Sequence, residues 1–288
     1  MNRVKQPEPS EVQYNVFDKC LLCDNNKFEN FGKFGTGCDS HPQVVRCTQC
    51  KLLFTNPIRT QSFLNTMYDT FGNEYVATKK LNQEKIRAEA KRYYDKLKLT
   101  PSAPRFLNIG SGDGAINDIY TSAGFISYGI EPTKSLYDLS LKKCSIDNIR
   151  NLTVEEAEFE ENSFDLIHFW HVIEHLKNPF LVLDKIFYWL KPGGILNIGT
   201  PNASILDNYV GKFSKNYSIG YYHTFIFSKN NLDIALKKAG FDVTYHTIYP
   251  SSGLKRFGKT LGSKIRYIIY KIYPKIVSNM QKVHATKR

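Results

Sequence analysis

The chain has 288 residues, 42% of them hydrophobic, which is enough to bury the core of a globular protein. It has no run of about 18 apolar residues and its N-terminus is polar, so we expect neither a membrane-spanning helix nor a secretory signal. Ten of its 39 Lys and Arg residues lie within 251–288, where no Asp or Glu occurs, and the other 29 nearly balance the 27 acidic residues. These features favour a cytoplasmic protein with reduced cysteines, a nearly neutral body and a basic tail.

Two C-x-x-C pairs stand near the N-terminus: Cys20 with Cys23, and Cys47 with Cys50. Each pair can present two thiolates from a tight turn, and two such pairs complete a tetrahedral zinc site. Cys38 and His41 lie between the pairs as alternative ligands, and four unrelated reduced cysteines are the other interpretation. We predict a structural Zn²⁺ site in a small zinc ribbon, residues 1–58, where the metal replaces the core that so short a segment lacks.

The segment 59–100 is predicted to connect this ribbon to the main domain. Apolar and aromatic residues recur at helical spacing through its Lys/Glu-rich second half: Ile86, Ala90, Tyr93 or Tyr94, and Leu97. The pattern ends before Pro101, as a helix does. We expect an amphipathic helix whose aromatic side chains serve packing and not ligand binding.

Residues 101–250 alternate short apolar runs with helical segments. The predicted strands are 106–109, 126–130, 164–170, 195–199 and, as the final strand, 241–249; the predicted helices include 178–190 and 228–239. Alternation of this kind indicates an α/β domain with a mostly parallel sheet, in which ligands bind at the carboxyl ends of the strands.

Three glycines, Gly110, Gly112 and Gly114, directly follow the first of these strands. Glycine lets a ligand approach the backbone closely and adopts positive φ easily, and the free N–H groups of such a turn can face a nucleotide. Glu131 ends the next strand, where a carboxylate accepts hydrogen bonds from ribose hydroxyls; a solvated strand end is the alternative. The glycines alone also fit a dinucleotide site, so the surrounding motifs decide the ligand.

Several segments, in order, resemble the class I S-adenosylmethionine-dependent methyltransferases. These are Leu107 to Gly114 (first motif), Tyr128 to Pro132 (acidic end of the second strand), Asn162 to Ile167 with His171 to Leu176 (fourth strand and loop), and Lys191 to Ile198 (turn into the fifth strand). The cysteine pairs followed by Leu53 to Pro57 are similar to the zinc-binding front end of a subgroup often found among enzymes that decorate surface polysaccharides.

The resemblance implies a Rossmann-like seven-stranded methyltransferase sheet, mostly parallel, with one antiparallel edge strand, and S-adenosylmethionine as cofactor. The glycines would hold its methionine and ribose part and Glu131 the ribose, while the loop near residues 152–154 would flank the adenine. Asn108, in place of an acid common in the family, would orient the amine through a water. The cofactor-binding set is Asn108, Gly110, Gly112, Gly114, Glu131, Leu152, Thr153, Val154 and Trp170.

His171 directly follows the predicted strand 164–170, beside the expected methyl position. Histidine is suited to take a proton from a hydroxyl acceptor, so we interpret His171 as the general base, with a pocket-lining role as the alternative. The sequence His171-Val-Ile-Glu174-His175 also matches an inverted zinc-protease motif, but that motif needs both histidines on one helix. It further resembles a metal-holding segment of quinone-pathway O-methyltransferases, with His171 replacing a glutamate; otherwise Glu174 and His175 would cap the next helix.

The segment 201–227 is a long polar and aromatic insert, which we interpret as a lid over the acceptor. Tyr222 and His223 are its candidate acceptor-binding residues, with loop packing as the alternative. Its many hydroxyl and amide groups favour a polyhydroxy acceptor over a flat hydrocarbon.

The tail, 251–288, carries an apolar helical stripe formed by Ile265, Ile268, Ile269 and Ile272. Basic residues on the opposite side are typical of a helix that lies on an anionic membrane surface. The alternative is a helix that docks on the body or on a second subunit.

Together with the resemblance, these patterns predict a cytoplasmic methyltransferase that O-methylates a sugar or glycan precursor, including one carried on a lipid. Peripheral contact with the inner membrane surface is the hypothesis that the tail adds. The zinc ribbon and basic tail also suggest an RNA methyltransferase, although no basic stripe interleaved with aromatics is apparent in the body. A non-catalytic zinc-ribbon adaptor is the remaining alternative. The sequence predicts no oligomeric state.

Overall fold

The computed structural model describes residues 14–33, 43–60, 83–98, 102–144, 148–203, 223–249 and 280–288. The predicted tail helix, Tyr222 and most of the predicted lid lie outside these ranges, as do Cys38 and His41. Within the described ranges, no helix combines the length and the apolar character needed to cross a membrane.

The N-terminal part, which we call the cysteine module, consists of five short strands: β1 (Tyr14–Asn15), β2 (Phe28–Lys33), β3 (Gln43–Cys47), β4 (Leu53–Thr55) and β5 (Ile58–Arg59). Strand β3 pairs antiparallel with both β2 and β4, while β1 pairs with β5. Cys20 and Cys23 stand in the turn before β2, whereas Cys47 ends β3 and Cys50 lies in the turn to β4, so the module's strands bring the two pairs together.

Helix α1 (Gln83–Leu97) leads into an α/β domain. Its elements are β6 (Arg105–Ile109), α2 (Ala115–Ser122), β7 (Ile126–Ile130), α3 (Lys134–Lys143), β8 (Ile149–Arg150), β9 (Phe164–Trp170), a 3-10 turn (Ile173–His175), α4 (Pro179–Trp189), β10 (Leu190–Pro201), β11 (Phe225–Ile226), α5 (Lys229–Lys238), β12 (Phe241–Tyr249) and β13 (Met280–Lys287).

Local sequence explains several of these boundaries. The Asn178 side chain accepts hydrogen bonds from two backbone N–H groups of the first turn of α4, and Pro179 occupies the first helical position. Ser228 and Asn231 form a reciprocal capping box at the start of α5. Strand β9 is buried along nearly its whole length, which explains its continuous apolar sequence.

The main sheet has seven strands in the order β12-β13-β10-β9-β6-β7-β8. All are parallel except β13, which runs antiparallel to both β10 and β12. The predicted seven-stranded, mostly parallel sheet is confirmed. The predicted antiparallel edge strand is wrong, because the antiparallel strand is interior and β12 forms the edge.

The main domain does not end at residue 250 as predicted, because residues 280–287 form the interior strand β13 of its sheet. Residues 280–287, interpreted from charge as part of a tail, alternate buried and less buried positions as a strand does. Val283 and Ala285 are fully buried, and three basic residues in or directly after this segment pair with groups of the body: Lys282 with Glu89, Lys287 with Asn162, and Arg288 with Asp242.

Candidate functional site

The cofactor edge is formed where β6 and β7 end side by side. Gly110, Gly112 and Gly114 have φ of +74°, +58° and +78°, which a residue with a side chain rarely adopts. A Cβ atom on Gly112 would meet no protein atom within 4 Å, so the backbone here faces open space. This left-handed turn with an open front fits the backbone cradle that the methionine and ribose part of S-adenosylmethionine requires.

Glu131 fixes this turn from the end of β7. Its Oε2 accepts a hydrogen bond from Gly112 N at 2.7 Å, and its Oε1 accepts one from Thr133 N at 2.9 Å. An ionised carboxylate offers about four acceptor positions, so it can hold the turn and still accept hydrogen bonds from ribose hydroxyls. The structure thus places Glu131 beside the glycines as the sequence predicts.

Asn108 lies beneath the turn and is 1% exposed. Its Nδ2 donates to Asn117 Oδ1 at 2.8 Å, and its Oδ1 lies 3.0 Å from His168 Nδ1. The amide therefore joins β6, β9 and α2 in the core. Its contact with the cofactor amine stays a prediction.

The other predicted cofactor residues lie on either side of the turn. Thr153 follows β8, and its N and Oγ1 both donate to Glu156 Oε2 at 2.9 Å; Leu152 beside it is half-buried and Val154 is buried. Trp170 stacks on His168, and its ring packs directly against Gly199 of β10, where an added Cβ would collide with it. The ring therefore lies towards β10 and away from the glycine turn that follows β6. This geometry gives Trp170 a packing role, and its cofactor contact stays a prediction.

A histidine cluster, comprising His171, Glu174, His175 and His223, lies at the carboxyl ends of β9 and β10. His171 has φ of +56°, a strained backbone for a residue with a side chain, and its N donates to Gly199 O. Glu174 is fully buried: its Oε1 is 3.0 Å from His171 Nδ1, and its Oε2 accepts from Thr200 Oγ1 at 2.9 Å. The His175 and His223 rings lie 4.9 Å apart.

The charge state of this cluster follows from its contacts. Burial acts to raise the pKa of Glu174, but the hydrogen bond from His171, together with the neighbouring histidines in their protonated state at acidic pH, outweighs it and lowers the pKa to about 2. Burial lowers the pKa of His223 to about 3, and His175 adds to the effect. At neutral pH Glu174 is therefore an anion and His223 a neutral imidazole.

The ionised Glu174 determines which nitrogen of His171 can act as a base. A carboxylate only accepts hydrogen bonds, so it holds the proton of the neutral imidazole on Nδ1. Nε2 then carries the lone pair, and the His171 side chain is 39% exposed. Thr200, which positions Glu174, was missed in the sequence, although its place at the carboxyl end of a strand is a usable signal.

The histidine cluster also bears on the metal alternatives. Glu174, His175 and His223 each offer one ligand atom, all within 4.8 Å of one another. Both Glu174 oxygens already accept hydrogen bonds, however, so a cation would share or displace these donors. The protease interpretation is wrong, because His175 lies on a short 3-10 turn and His171 precedes it; helix capping by Glu174 is wrong too, because Asn178 caps α4.

The four predicted cysteines converge in the cysteine module. Sγ of Cys20 lies 3.6 Å from that of Cys50, Sγ of Cys23 lies 3.5 Å from that of Cys47, and all four atoms are within 4.8 Å of one another. Zinc–sulfur bonds of about 2.3 Å in a tetrahedron separate the sulfurs by about 3.8 Å, so the set fits Zn²⁺. Unrelated cysteines are excluded.

The two cysteine pairs share one turn geometry. Asp24 N donates to Cys20 O at 2.8 Å and Lys51 N donates to Cys47 O at 3.0 Å, and Asp24 and Lys51 both have positive φ. The two C-x-x-C segments, which share one spacing in the sequence, thus also share one backbone conformation. Each turn presents two thiols to the same point.

Comparisons with known proteins agree with this geometry. A protein-family model described as a methyltransferase domain matches residues 78–246, more than half of the chain. The ubiquinone biosynthesis O-methyltransferase of Nitrobacter winogradskyi is 33% identical over 104 residues, which cover 35% of this chain and 40% of that protein. The phosphoethanolamine N-methyltransferase of Plasmodium falciparum is 28% identical over 154 residues, covering 50% and 54%.

The chain thus spans about half, or less, of these two curated relatives. Among solved structures, a methyltransferase of Thermotoga maritima described as a possible histamine N-methyltransferase superposes with a TM-score of 0.51 and 18% identity, covering 78% of this chain and all of that one. At this identity the superposition concerns the fold alone. With the family match over residues 78–246, the chain belongs to the methyltransferase domain family.

Proposed function

We propose that this enzyme transfers a methyl group to a hydroxyl of a sugar or glycan precursor, with His171 as the general base. The pairing of His171 Nδ1 with the ionised, buried Glu174 carries this proposal. A hydroxyl is a poor nucleophile until its proton is removed. The Nε2 atom of the exposed His171 side chain carries a lone pair beside the cofactor edge and can accept that proton. Glu174 stabilises the positive charge that the imidazole gains when it takes that proton.

S-adenosylmethionine, when bound, supplies a methyl group on a positively charged sulfur. His171 Nε2 would take the hydroxyl proton as the acceptor oxygen receives the methyl group, and the sulfur would keep the electron pair of the broken bond as a neutral thioether. The glycine turn and Glu131 hold the donor, so the chemistry asks mainly for alignment of donor and acceptor. His171 then releases its proton to solvent through its exposed side.

The choice of acceptor rests on the polar composition of the 201–227 insert and on the likeness of the cysteine pairs to a polysaccharide-associated subgroup. The relatives named above include both an O- and an N-methyltransferase, so the acceptor atom must be tested. A panel of nucleotide sugars, free sugars, phenols and phosphorylated amines, with S-adenosylhomocysteine release as the readout, addresses both points.

We expect turnover with a sugar hydroxyl, and His171→Ala should lower kcat by about 100-fold or more, as loss of a general base does. The affinity for S-adenosylmethionine, measured by calorimetry, should stay unchanged because the glycine turn is intact. Turnover only with an amine, or full kcat in His171→Ala, would refute the assignment.

We also propose that the four-cysteine cluster holds Zn²⁺ with a structural role, because four thiolates leave no open position for a substrate. Contact of the tail with an anionic membrane stays a proposal from the sequence. Three of the ten basic residues in 251–288 pair with body groups at or just after β13, so the other seven would carry such contact. Co-sedimentation with anionic vesicles at low salt tests this proposal, and absence of binding would remove it.

A further inference from the structure

Strand β11 links the cysteine module to the histidine cluster. It follows the methyltransferase strand β10 in sequence, yet its two residues pair with Phe54 and Leu53 of β4 and complete the module's four-stranded sheet. Thr224, the residue before β11, accepts a hydrogen bond from Thr55 N at 2.9 Å. The chain therefore passes from the module's sheet to His223 within two residues.

His223 and Thr224 meet the 3-10 turn on their other side. Thr224 N donates to Glu174 O at 2.7 Å, and Thr224 Oγ1 donates to His175 O at 3.5 Å. The Nδ1 atom of His223 is buried, with no hydrogen-bond partner among the residues that the structure describes. Because Thr224 is bonded both to β4 and to the 3-10 turn, movement of β4 would shift His223 relative to Glu174.

Aromatic packing holds β11 against the module. The Phe225 ring is 1% exposed and stacks on the Phe54 ring, with centroids 5.9 Å apart and an interplanar angle of 24°. Phe54 in turn contacts Phe28 edge to face at 5.3 Å. One core cluster contains buried side chains from both the module and the α/β domain, so the two parts pack as one body.

Helix α5 adds two contacts that end on the cysteine turns themselves. Asn231 Nδ2 donates to Cys50 O at 2.6 Å, and Lys238 Nζ donates to Leu22 O at 2.6 Å. Both acceptors are backbone carbonyls within the C-x-x-C turns. The convergence of the four thiols determines the shape of those turns. Through the two hydrogen bonds, the shape of the turns affects the position of α5 and of the segment that connects β11 to α5.

We propose that the cysteine module is a positioning element of the active site: it holds β11 so that His223 and Thr224 stay against Glu174 and His175. This inference rests on the proposed assignment of the histidine cluster to the acceptor side. The glycine turn lies beyond β9 in the sheet, and the backbone N–H groups of its glycines donate to Ile130, Ser111 and Glu131 and not to β11. Disturbing the module should therefore lower kcat and leave cofactor affinity unchanged.

The test uses Phe54→Ala in the full chain, which removes the ring under Phe225 without altering a cysteine or a histidine. We expect backbone hydrogen–deuterium exchange in 223–227 to become about tenfold faster, because the pairing with β4 loses its packing. A displacement of about 1 Å at a site can slow turnover by about 100-fold, so we expect kcat to fall to that extent. The Kd for S-adenosylmethionine and exchange in 106–114 should not change.

Phe187→Ala is the matched control, because it removes an equal ring from the contact between α4 and Phe241, where the centroids are 5.1 Å apart. It should lower the free energy of unfolding and leave kcat and exchange in 223–227 as in the wild type. Should Phe54→Ala fail to fold, Lys238→Met removes only the bond to Leu22 O and should give the same pattern at smaller amplitude.

Unchanged exchange in 223–227 of a folded variant, or an equal loss of kcat in Phe187→Ala, would overturn the proposal. The exchange and cofactor-affinity measurements need no acceptor. If the wild type methylates no sugar hydroxyl, the proposed function fails while the positioning role is still decided by these two readouts.

Discussion

Replacement of Glu174 by Gln tests the central chemical inference with the smallest change of shape. The amide keeps the size of the side chain and can still accept a hydrogen bond from His171 Nδ1, but it carries no charge. The expected consequence is a protein that folds, binds cofactor and turns over slowly, because the imidazolium formed on His171 has lost its neighbouring anion.

The magnitude follows from the position of Glu174. Its carboxyl group is fully buried, yet its pKa is about 2 instead of the ordinary 4.5. At about 1.4 kcal/mol per pKa unit, the surroundings favour the carboxylate by about 3 kcal/mol. Burial opposes ionisation, and the hydrogen bond from His171 is the largest contribution that overcomes it. If most of this free energy reflects the interaction of Glu174 with the imidazolium of His171, Glu174→Gln lowers kcat by about 10-fold to 100-fold.

The assay is S-adenosylhomocysteine release at saturating acceptor, with calorimetric titration of the cofactor alongside. Thr200→Val is a graded comparison: it removes the bond to the other carboxylate oxygen and keeps the charge, so a loss of at most about fivefold is expected. Glu89→Gln changes a half-buried acid paired with Lys282 outside the cluster and should retain kcat. A Glu174→Gln enzyme with kcat within about twofold of the wild type would refute the reasoning.

Three further predictions concern the cofactor edge, the metals and acid stability. Glu131→Ala should raise the Kd for S-adenosylmethionine by about tenfold or more, by calorimetry, because the turn and the ribose both lose an acceptor; unchanged affinity would contradict the site. Metal analysis should find one Zn²⁺ per chain, lost in Cys47→Ser, and added Mg²⁺ or Mn²⁺ should not raise kcat; stimulation would instead support a cation at Glu174. The free energy of unfolding should be full above about pH 6.5 and decrease towards pH 4, since the unfolded chain protonates His223 and His284, whose folded pKa values are lowered to about 3 and about 4 mainly by burial. A pH-independent urea midpoint over that range would exclude this effect.

The cofactor edge and the cysteine cluster could be predicted from the sequence because their signals are local. Three glycines follow directly on an apolar strand, and Glu131 ends the next strand, so neighbouring parallel strands bring them together without any knowledge of distant contacts. The repeated C-x-x-C spacing likewise encodes two identical turns. His171 was placed correctly at the end of a strand for the same reason.

The parts that were missed depend on pairing between distant segments. Strand β13 was hidden because its basic side chains resembled a solvated tail, whereas the structure neutralises Lys282 with Glu89. Strand β11 has only two residues, too few to show the alternation of apolar and polar residues that indicates a strand. Its pairing with β4 could therefore not be predicted from the sequence. The contact between His223 and His175 is a consequence of that pairing, and no motif records it.

The interior position of β13 has a consequence for how the protein is made. Strands β10 and β12 are both synthesised before residues 280–287, so each has an unsatisfied row of backbone hydrogen-bonding groups facing the gap until residues 280–287 leave the ribosome. Open strand edges of this kind template association with other chains. A nascent or truncated chain ending near residue 250 should therefore be captured by chaperones or aggregate.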